Sequence, residues 1–553
     1  MAFLLASPGL TTLPYHFAAF AALLGFALLA FAYRQLPTAR WNSEWLFLAL
    51  AGCTVLVWRW PALFWTYPFN IDEGAFVACA LKATRDLAPW RGFDAGSSGP
   101  LNPDVLALPA LFGADITFFS TRLIGICLLI AAIYALYYIA KWTEGDDVAR
   151  LAIVPPVTFF AFTRARDFLQ YSSEQLPIFL TTIALAATVY LATRARTKRS
   201  RLIACAVSGL ALGSVGFAKL QALPVALAIL VFLVAVIVIR GRSTSRADTW
   251  AQLGTLVVML GLVPGLIALS LWKTGEWQYA IEFYLGSAAT YVAGGERIGP
   301  GFLFASVASY TIFLVCALVV IVVIAIALRG RSISAARSSI SVVWAFGFLV
   351  VYLFVIYLPG RAFPHYLLLS ILPFSYCVAS VLGLALKAGF GKGRQLLVAG
   401  GIVAWFVIPP LGFALASPNQ YFLYFFSEPP LPVDDRVVAI AHYAPPGERV
   451  AIWGWMPHFH VLTQTIMATR DHQTGGPMLP GPGQARARER YLSALRASPP
   501  PVFVDAVAPG SFGYKDRATQ GYQTFPELAA FINENYVLKE DVEGIRIFVA
   551  KKR

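Results

Sequence analysis

The residues in this chain that could do chemistry are few, because most of it is apolar, and they come in short groups separated by long hydrophobic runs. Asp72 and Glu73 are adjacent. Arg122 follows the next gap, then Arg164, Arg166, Asp167 and Glu174 within eleven positions, then Lys219, and finally Arg361 and His365. A carboxylate can take a proton from a hydroxyl group that attacks another molecule. Cations can hold negative charge that develops on a departing group. Carboxylates and cations together therefore suit an anionic, membrane-anchored substrate. Each residue also has a plainer reading: Asp72 as a helix N-cap with Glu73 favourable to the helix dipole, the arginines and Lys219 as interface anchors, His365 as a belt residue, and Asp167 and Glu174 as neutralisers of nearby arginines.

The elements that must position these groups are membrane helices. Of 553 residues, 58% are hydrophobic and only 13% charged, about half the charge of a soluble protein, and the mean hydropathy is +0.67. Apolar runs long enough to cross a ~30 Å hydrocarbon layer fall at 14–33, 43–66, 118–141, 150–164, 173–193, 201–217, 221–240, 251–272, 303–328, 340–358, 366–386 and 395–416, predicting about 12 spans. The run at 150–164, with Pro155 and Pro156, is among the shortest. The run at 14–33 lacks a basic n-region and a cleavage site, so it reads as a retained helix.

The net charge of +14 is not a nucleic-acid footprint. From residue 430 onward 14 Lys and Arg face 12 Asp and Glu, so most of the excess belongs to the membrane part. There it collects in alternate short loops: Arg34 and Arg40; Lys141 and Arg150; Arg194, Arg196, Lys198, Arg199 and Arg201; Arg240, Arg242 and Arg246; Arg329, Arg331 and Arg337; Lys387, Lys392 and Arg394. These loops should be cytoplasmic, which places both termini, the C-terminal region and the groups above on the outer side of the inner (plasma) membrane. The six cysteines form no CxxC pair and read as small apolar residues. No repeat of the kind common in transporters is visible.

Residues 67–117 form the first large external loop. Asn70 to Glu73 followed by Phe76, Cys79, Ala80, Ala83 and Leu87 has the spacing of an amphipathic helix on the membrane surface. Gly92, Gly96 and Gly99 mark a turn, and a second apolar stretch runs from Leu106 to Phe112. Beyond residue 425 the pattern changes: strands at Val450–Trp453, Pro501–Asp505 and Ile545–Ala550, with helices at Arg486–Arg496 and Glu527–Glu534, predict a small α/β domain. The expected organisation is 1–42, an added helix and loop; 43–425, the membrane domain; and 426–553, the extracytoplasmic domain. In the last, Trp453, Trp455, His458, His460, Arg470 and His472 could include rings that stack on a sugar. Trp453 also fits a buried strand.

The order and common sidedness of these groups resemble the GT-C glycosyltransferases, in particular the aminoarabinose transferases of lipid A and the protein mannosyltransferases. The resemblance spans residues 43–416 and rests on Asp72-Glu73 opening the first external loop, on Arg164 to Asp167 with Glu174, on Lys219 after Gly216, and on Arg361 to Tyr366 before a Leu-rich helix. It implies inverting transfer of a sugar from a polyprenyl-phosphate donor to a lipid, glycan or protein acceptor. Asp72 matches the catalytic carboxylate and Asp167 a second acidic position. Glu73 would orient Asp72 or bind a metal, and Asp72, Glu73, Asp167 and His365 could together supply oxygen and nitrogen ligands to a divalent ion. Lys219, Arg361 and His365 would contact phosphate, with Arg166 and Glu174 also binding substrate. The chain departs from the family in its Ser98-Gly99-Pro100 turn, which lacks the Lys often found there. A transporter or flippase, and a polymerase or ligase of polyprenyl-linked glycans, are the competing readings.

Overall fold

A computed structural model describes residues 8–32, 41–242, 245–296, 298–328, 336–387, 392–417, 420–426, 433–481 and 483–551. Arg34, Arg40, Arg329 and Arg331 of the basic loops lie outside these residues. The chain is mainly helical with one small sheet. Among the described residues ten helices are long and apolar enough to cross a bilayer, which makes this a multi-pass membrane protein. Of the twelve runs read from the sequence, 340–358 falls in helix Ala336–Tyr357, whose apolar stretch is given as Ser341–Tyr357. The run at 150–164 is broken into Asp146–Ala152 and Val154–Phe162. Pro155 and Pro156 cannot donate backbone hydrogen bonds, so they are accommodated in the first turn of a new helix rather than inside a continuous one.

The chain divides into two compact units. The first comprises Met1–Leu63, Gly125–Leu266 and Ser287–Glu428, and the second Phe64–Ile124, Ile267–Gly286 and Pro429–Arg553. The first unit holds most of the apolar helices. Lys198–Ala218 and Arg246–Thr274 approach at backbone distance through Gly209 and Gly213; a Cβ at Gly213 would lie 2.2 Å from the Leu260 carbonyl oxygen. Small residues four apart allow this closeness between membrane helices. Several basic loop residues have structural partners. Lys387 Nζ lies 2.6 Å from Glu144 Oε2. Arg150 donates to Asn42 Oδ1 at 2.7 Å and stacks on Phe47. Arg240 donates to the carbonyls of Ala192 and Ala195 at the end of helix Gln175–Thr193, where cations complement the helix dipole.

The second unit is built on a five-stranded sheet of β1 (Arg449–Trp453), β2 (Ile466–Met467), β3 (Val502–Asp505), β4 (Tyr536–Val542) and β5 (Ile545–Ala550), in the order β2-β1-β3-β5-β4. β1 pairs parallel with β2 and β3, and β5 antiparallel with β3 and β4. Helices Gln484–Ala497 and Pro526–Asn535 contribute Tyr491, Leu492, Leu528 and Ile532 to the apolar core around Trp453 and Phe503. Two strands escape the sequence reading. β2 has only two residues, and β4 carries Lys539, Glu540 and Asp541, as expected of an edge strand protected against further pairing.

The first external loop belongs to this same unit and differs from the sequence expectation. Helix Ile71–Ala83 does not expose one polar face on a membrane surface. Gly74, Ala75, Phe76, Val77, Ala78, Cys79, Ala80, Leu81 and Ala83 are all buried. Small residues around the helix let neighbours close in on nearly every side. A Cβ at Gly74 would lie 3.1 Å from that of His458, and Lys82 Nζ donates to the Met467 carbonyl at 2.8 Å. The stretch after the glycine turn does expose apolar groups, with Leu111 and Phe112 largely uncovered. Residues 267–286 join the unit through ion pairs: Arg470 with Glu276 at 2.9 Å, and Arg486 with Glu282. Tyr279 donates to Asp94 while Arg490 covers its ring.

Candidate functional site

In the helical unit, the short turns between helices assemble a charged cluster. The chain leaves helix Val154–Phe162, makes one turn at Arg166–Leu169 and enters helix Gln175–Thr193, with Glu174 just before it. Glu174 is fully buried, and Lys219, which ends helix Lys198–Ala218, donates to its carboxylate and to Ser173 Oγ at 2.7 Å. His365 enters from a 3-10 turn, Pro364–Leu367, with Nδ1 3.7 Å from Asp167 Oδ1 and Nε2 4.0 Å from Glu174 Oε1. Glu174 therefore faces the Lys219 ammonium directly and the His365 ring at longer range. Among the described residues Glu174 Oε2 has no hydrogen-bond partner.

Two further cations border this arrangement in a different electrostatic state. Arg166 is exposed and donates to the Tyr421 hydroxyl at 3.0 Å. Arg361 donates to the Gly294 carbonyl at 3.0 Å and lies over the Tyr291 ring. Their partners among the described residues are neutral, so their charge is uncompensated. Lys219 is different, since its charge is matched by Glu174. An aromatic series connects the parts. Lys219 lies over the Tyr366 ring, and the Tyr366 hydroxyl is 3.1 Å from that of Tyr291. Arg164 stacks 3.5 Å over Phe422. Sequence reading missed Tyr291 and Tyr421, and had Tyr366 only as the end of the motif that begins at Arg361. The one available signal was aromatic enrichment near helix ends, where rings with a polar tip are common.

In the second unit, the adjacent carboxylates Asp72 and Glu73 have opposite environments. Asn70, not Asp72, caps helix Ile71–Ala83; its side chain accepts from the Asp72 backbone N–H at 3.2 Å. Glu73 is fully buried and committed. Arg122 donates to both its oxygens at 2.8 Å, and the Phe69 backbone N–H donates to Oε2 at 2.9 Å. Arg122 also donates to the carbonyls of Trp65 and Tyr67 and lies 4.1 Å over the Phe69 ring. The Asp72 carboxylate is half-buried and makes no ion pair or hydrogen bond among the described residues. Of the pair, Asp72 is the one whose oxygens remain available to a substrate.

Among the described residues no group of three or more His, Cys, Asp and Glu is arranged to hold a metal ion. With both Glu73 oxygens engaged by Arg122, the residues expected to share a divalent ion do not fit one as they stand. In the α/β domain, Trp453 is buried and donates to the Gln520 carbonyl at 2.9 Å. His460 is buried against Thr465, and Arg470 and His472 serve the interior of the unit, His472 contacting the Asp94 carbonyl oxygen at 2.7 Å. Trp455 and His458 have other surroundings, taken up below.

Solved structures share this combination of apolar helices and a small α/β region. The chain is similar to ArnT from Cupriavidus metallidurans bound to undecaprenyl phosphate, with a TM-score of 0.56 at 14% identity over 92% of this chain and 98% of that one. It is similar to the apo state of the same protein with a TM-score of 0.55 at 15% identity, over 91% and 97%. A looser likeness, TM-score 0.42 at 11% identity over 89% and 70%, is to the apo oligosaccharyltransferase of Archaeoglobus fulgidus. No protein-family model and no curated protein matches the sequence. The chain has the GT-C fold.

Proposed function

We propose that this protein is a membrane glycosyltransferase that moves a sugar from a polyprenyl-phosphate donor to an extracytoplasmic acceptor. The likeness in fold to a protein solved with undecaprenyl phosphate supports the donor class. The observation that carries the reading is the state of Asp72, a carboxylate without a partner among the described residues beside one that is fully engaged.

In the proposed reaction the acceptor hydroxyl oxygen attacks the anomeric carbon of the donor sugar and its proton passes to Asp72. The bond from that carbon to the phosphate oxygen breaks, and the electron pair leaves with the lipid phosphate, inverting the anomeric centre. The leaving group is already ionised, so the chain must supply cations rather than an acid. Arg166 and Arg361 have uncompensated charge for this, and His365 can add a hydrogen bond. Lys219, neutralised by Glu174, contributes donors more than net charge. Asp167 takes an acceptor or sugar hydroxyl, and Glu73 holds the first turn of the helix that presents Asp72. The protein works in the inner (plasma) membrane, with its C-terminal domain on the extracytoplasmic side.

The test is mass spectrometry of envelope lipids and glycans from cells carrying the wild type or Asp72→Asn, together with a purified transfer assay. A glycan that disappears with the variant, while the protein is still produced and folded, is the expected result. Full transfer by Asp72→Asn would sink the scheme.

A further inference from the structure

The parallel part of the sheet contains a switch point. From β1 the chain crosses to β2 on one side and later returns to place β3 on the other. Ligands of open α/β sheets bind outside the carboxyl ends of the strands where such a reversal occurs. Here those ends carry residues 454–458 after β1 and 506–516 after β3. They border an open cleft of about 630 Å³ lined by Met456, His458, Ser511, Phe512 and Lys515.

The lining is chemically specific. Phe512 exposes about half its surface, and Trp455 stands edge-on against it with centroids 4.9 Å apart. Gly513, at φ +76°, packs on the Trp455 ring, where a Cβ would come within 3.1 Å. The loop therefore needs glycine there to present the aromatic step. Lys515 is exposed, and its ammonium has no partner among the described residues. His458 is more than nine-tenths buried, yet its Nδ1 has no hydrogen-bond partner among the described residues. Burial depresses its pKa to about 4, so at neutral pH it offers a directional hydrogen bond rather than a charge. Buried polar atoms are rarely left unsatisfied without a reason. His458 also packs against Gly74, two residues from Asp72.

We infer that this cleft binds a saccharide carrying a carboxylate or phosphate, as a subsite for the acceptor glycan. A ring face would stack on Phe512, the anionic substituent would meet Lys515, and a hydroxyl would pair with His458. No glycine-rich phosphate loop follows a strand in this domain, which disfavours a nucleotide as occupant. The acceptor role rests on the glycosyltransferase reading, whereas the binding itself does not.

Binding is therefore measured directly, by calorimetry on the full-length protein in nanodiscs, with tetragalacturonate and glucose 1-phosphate as acidic probes and maltotetraose as the neutral control. At least one acidic probe is expected to bind more tightly than maltotetraose and to weaken with added salt. Phe512→Ala and Lys515→Gln should each weaken it about tenfold, the worth of one charge-assisted hydrogen bond or stacked ring. Thermal unfolding of the variants checks that the domain is intact. If neither acidic probe binds, or if binding is indifferent to both substitutions, the inference is overturned. Binding by a wild-type protein that shows no glycosyl transfer would leave the cleft standing and remove only its acceptor role.

Discussion

Glu73 with Arg122 and Glu174 with Lys219 are both buried ion pairs, one in each unit, and they are built differently. Arg122 reaches both Glu73 oxygens and two backbone carbonyls, and a backbone N–H completes the carboxylate. Glu174 keeps one oxygen unpartnered, shares its field with His365 and lies in a cluster flanked by cations with neutral partners only. A closed network of this kind holds a loop in one shape. An open one retains capacity for a ligand, at the cost of incomplete satisfaction. Burial alone separates neither case; the count of remaining valences does.

The largest test of that difference is at the adjoining carboxylate. Asp72→Asn should lower transfer by about 10²–10⁴-fold, the range for a general base, with unfolding temperature unchanged in a detergent melt. Arg122→Met should behave in the opposite way. Leaving Glu73 buried and uncompensated should destabilise the protein by about 3–5 kcal/mol, visible as early unfolding and poor recovery.

A sharper comparison comes from double variants. Arg122→Met with Glu73→Leu removes both charges of the closed pair, so stability and transfer should return together. In Lys219→Met with Glu174→Leu stability should return and transfer should not, because the open cluster would have lost its function along with its charges. Recovery of transfer in the second double variant would reassign that pair to structure. The smallest effect is expected for Arg166→Gln. The kcat/KM for the lipid-linked donor should fall about tenfold, since removing an exposed, weakly held cation costs about one charge-assisted hydrogen bond.

Much of the architecture was legible because its signals are local. Length and hydropathy set the apolar helices, and Val502 to Asp505 reads as a buried strand from its composition alone. Pro155 and Pro156 mark where one helix is interrupted, although not that two short helices replace it. The β4 strand was hidden by Lys539, Glu540 and Asp541, whose charges suit an edge that pairs on one side only. The helix at 71–83 was misjudged because alanine and glycine count as weakly apolar in a periodicity reading, yet they allow the closest packing.

By itself the sequence determined that the chain crosses a membrane many times, that its second half ends in an α/β region, and which few ionisable residues stand outside the apolar runs. Those properties depend on each segment's own composition, through the free energy of moving apolar groups and backbone out of water. Only the tertiary structure decided that Asn70 rather than Asp72 caps the helix, that Glu73 is consumed by Arg122 forty-nine positions away, and that Lys219 meets Glu174 while Arg166 and Arg361 do not meet a carboxylate. It also separated Trp455 from Trp453 and His458 from His460, each a residue of the same type two positions away. Such outcomes depend on which distant partner fills each valence, and no local pattern records that.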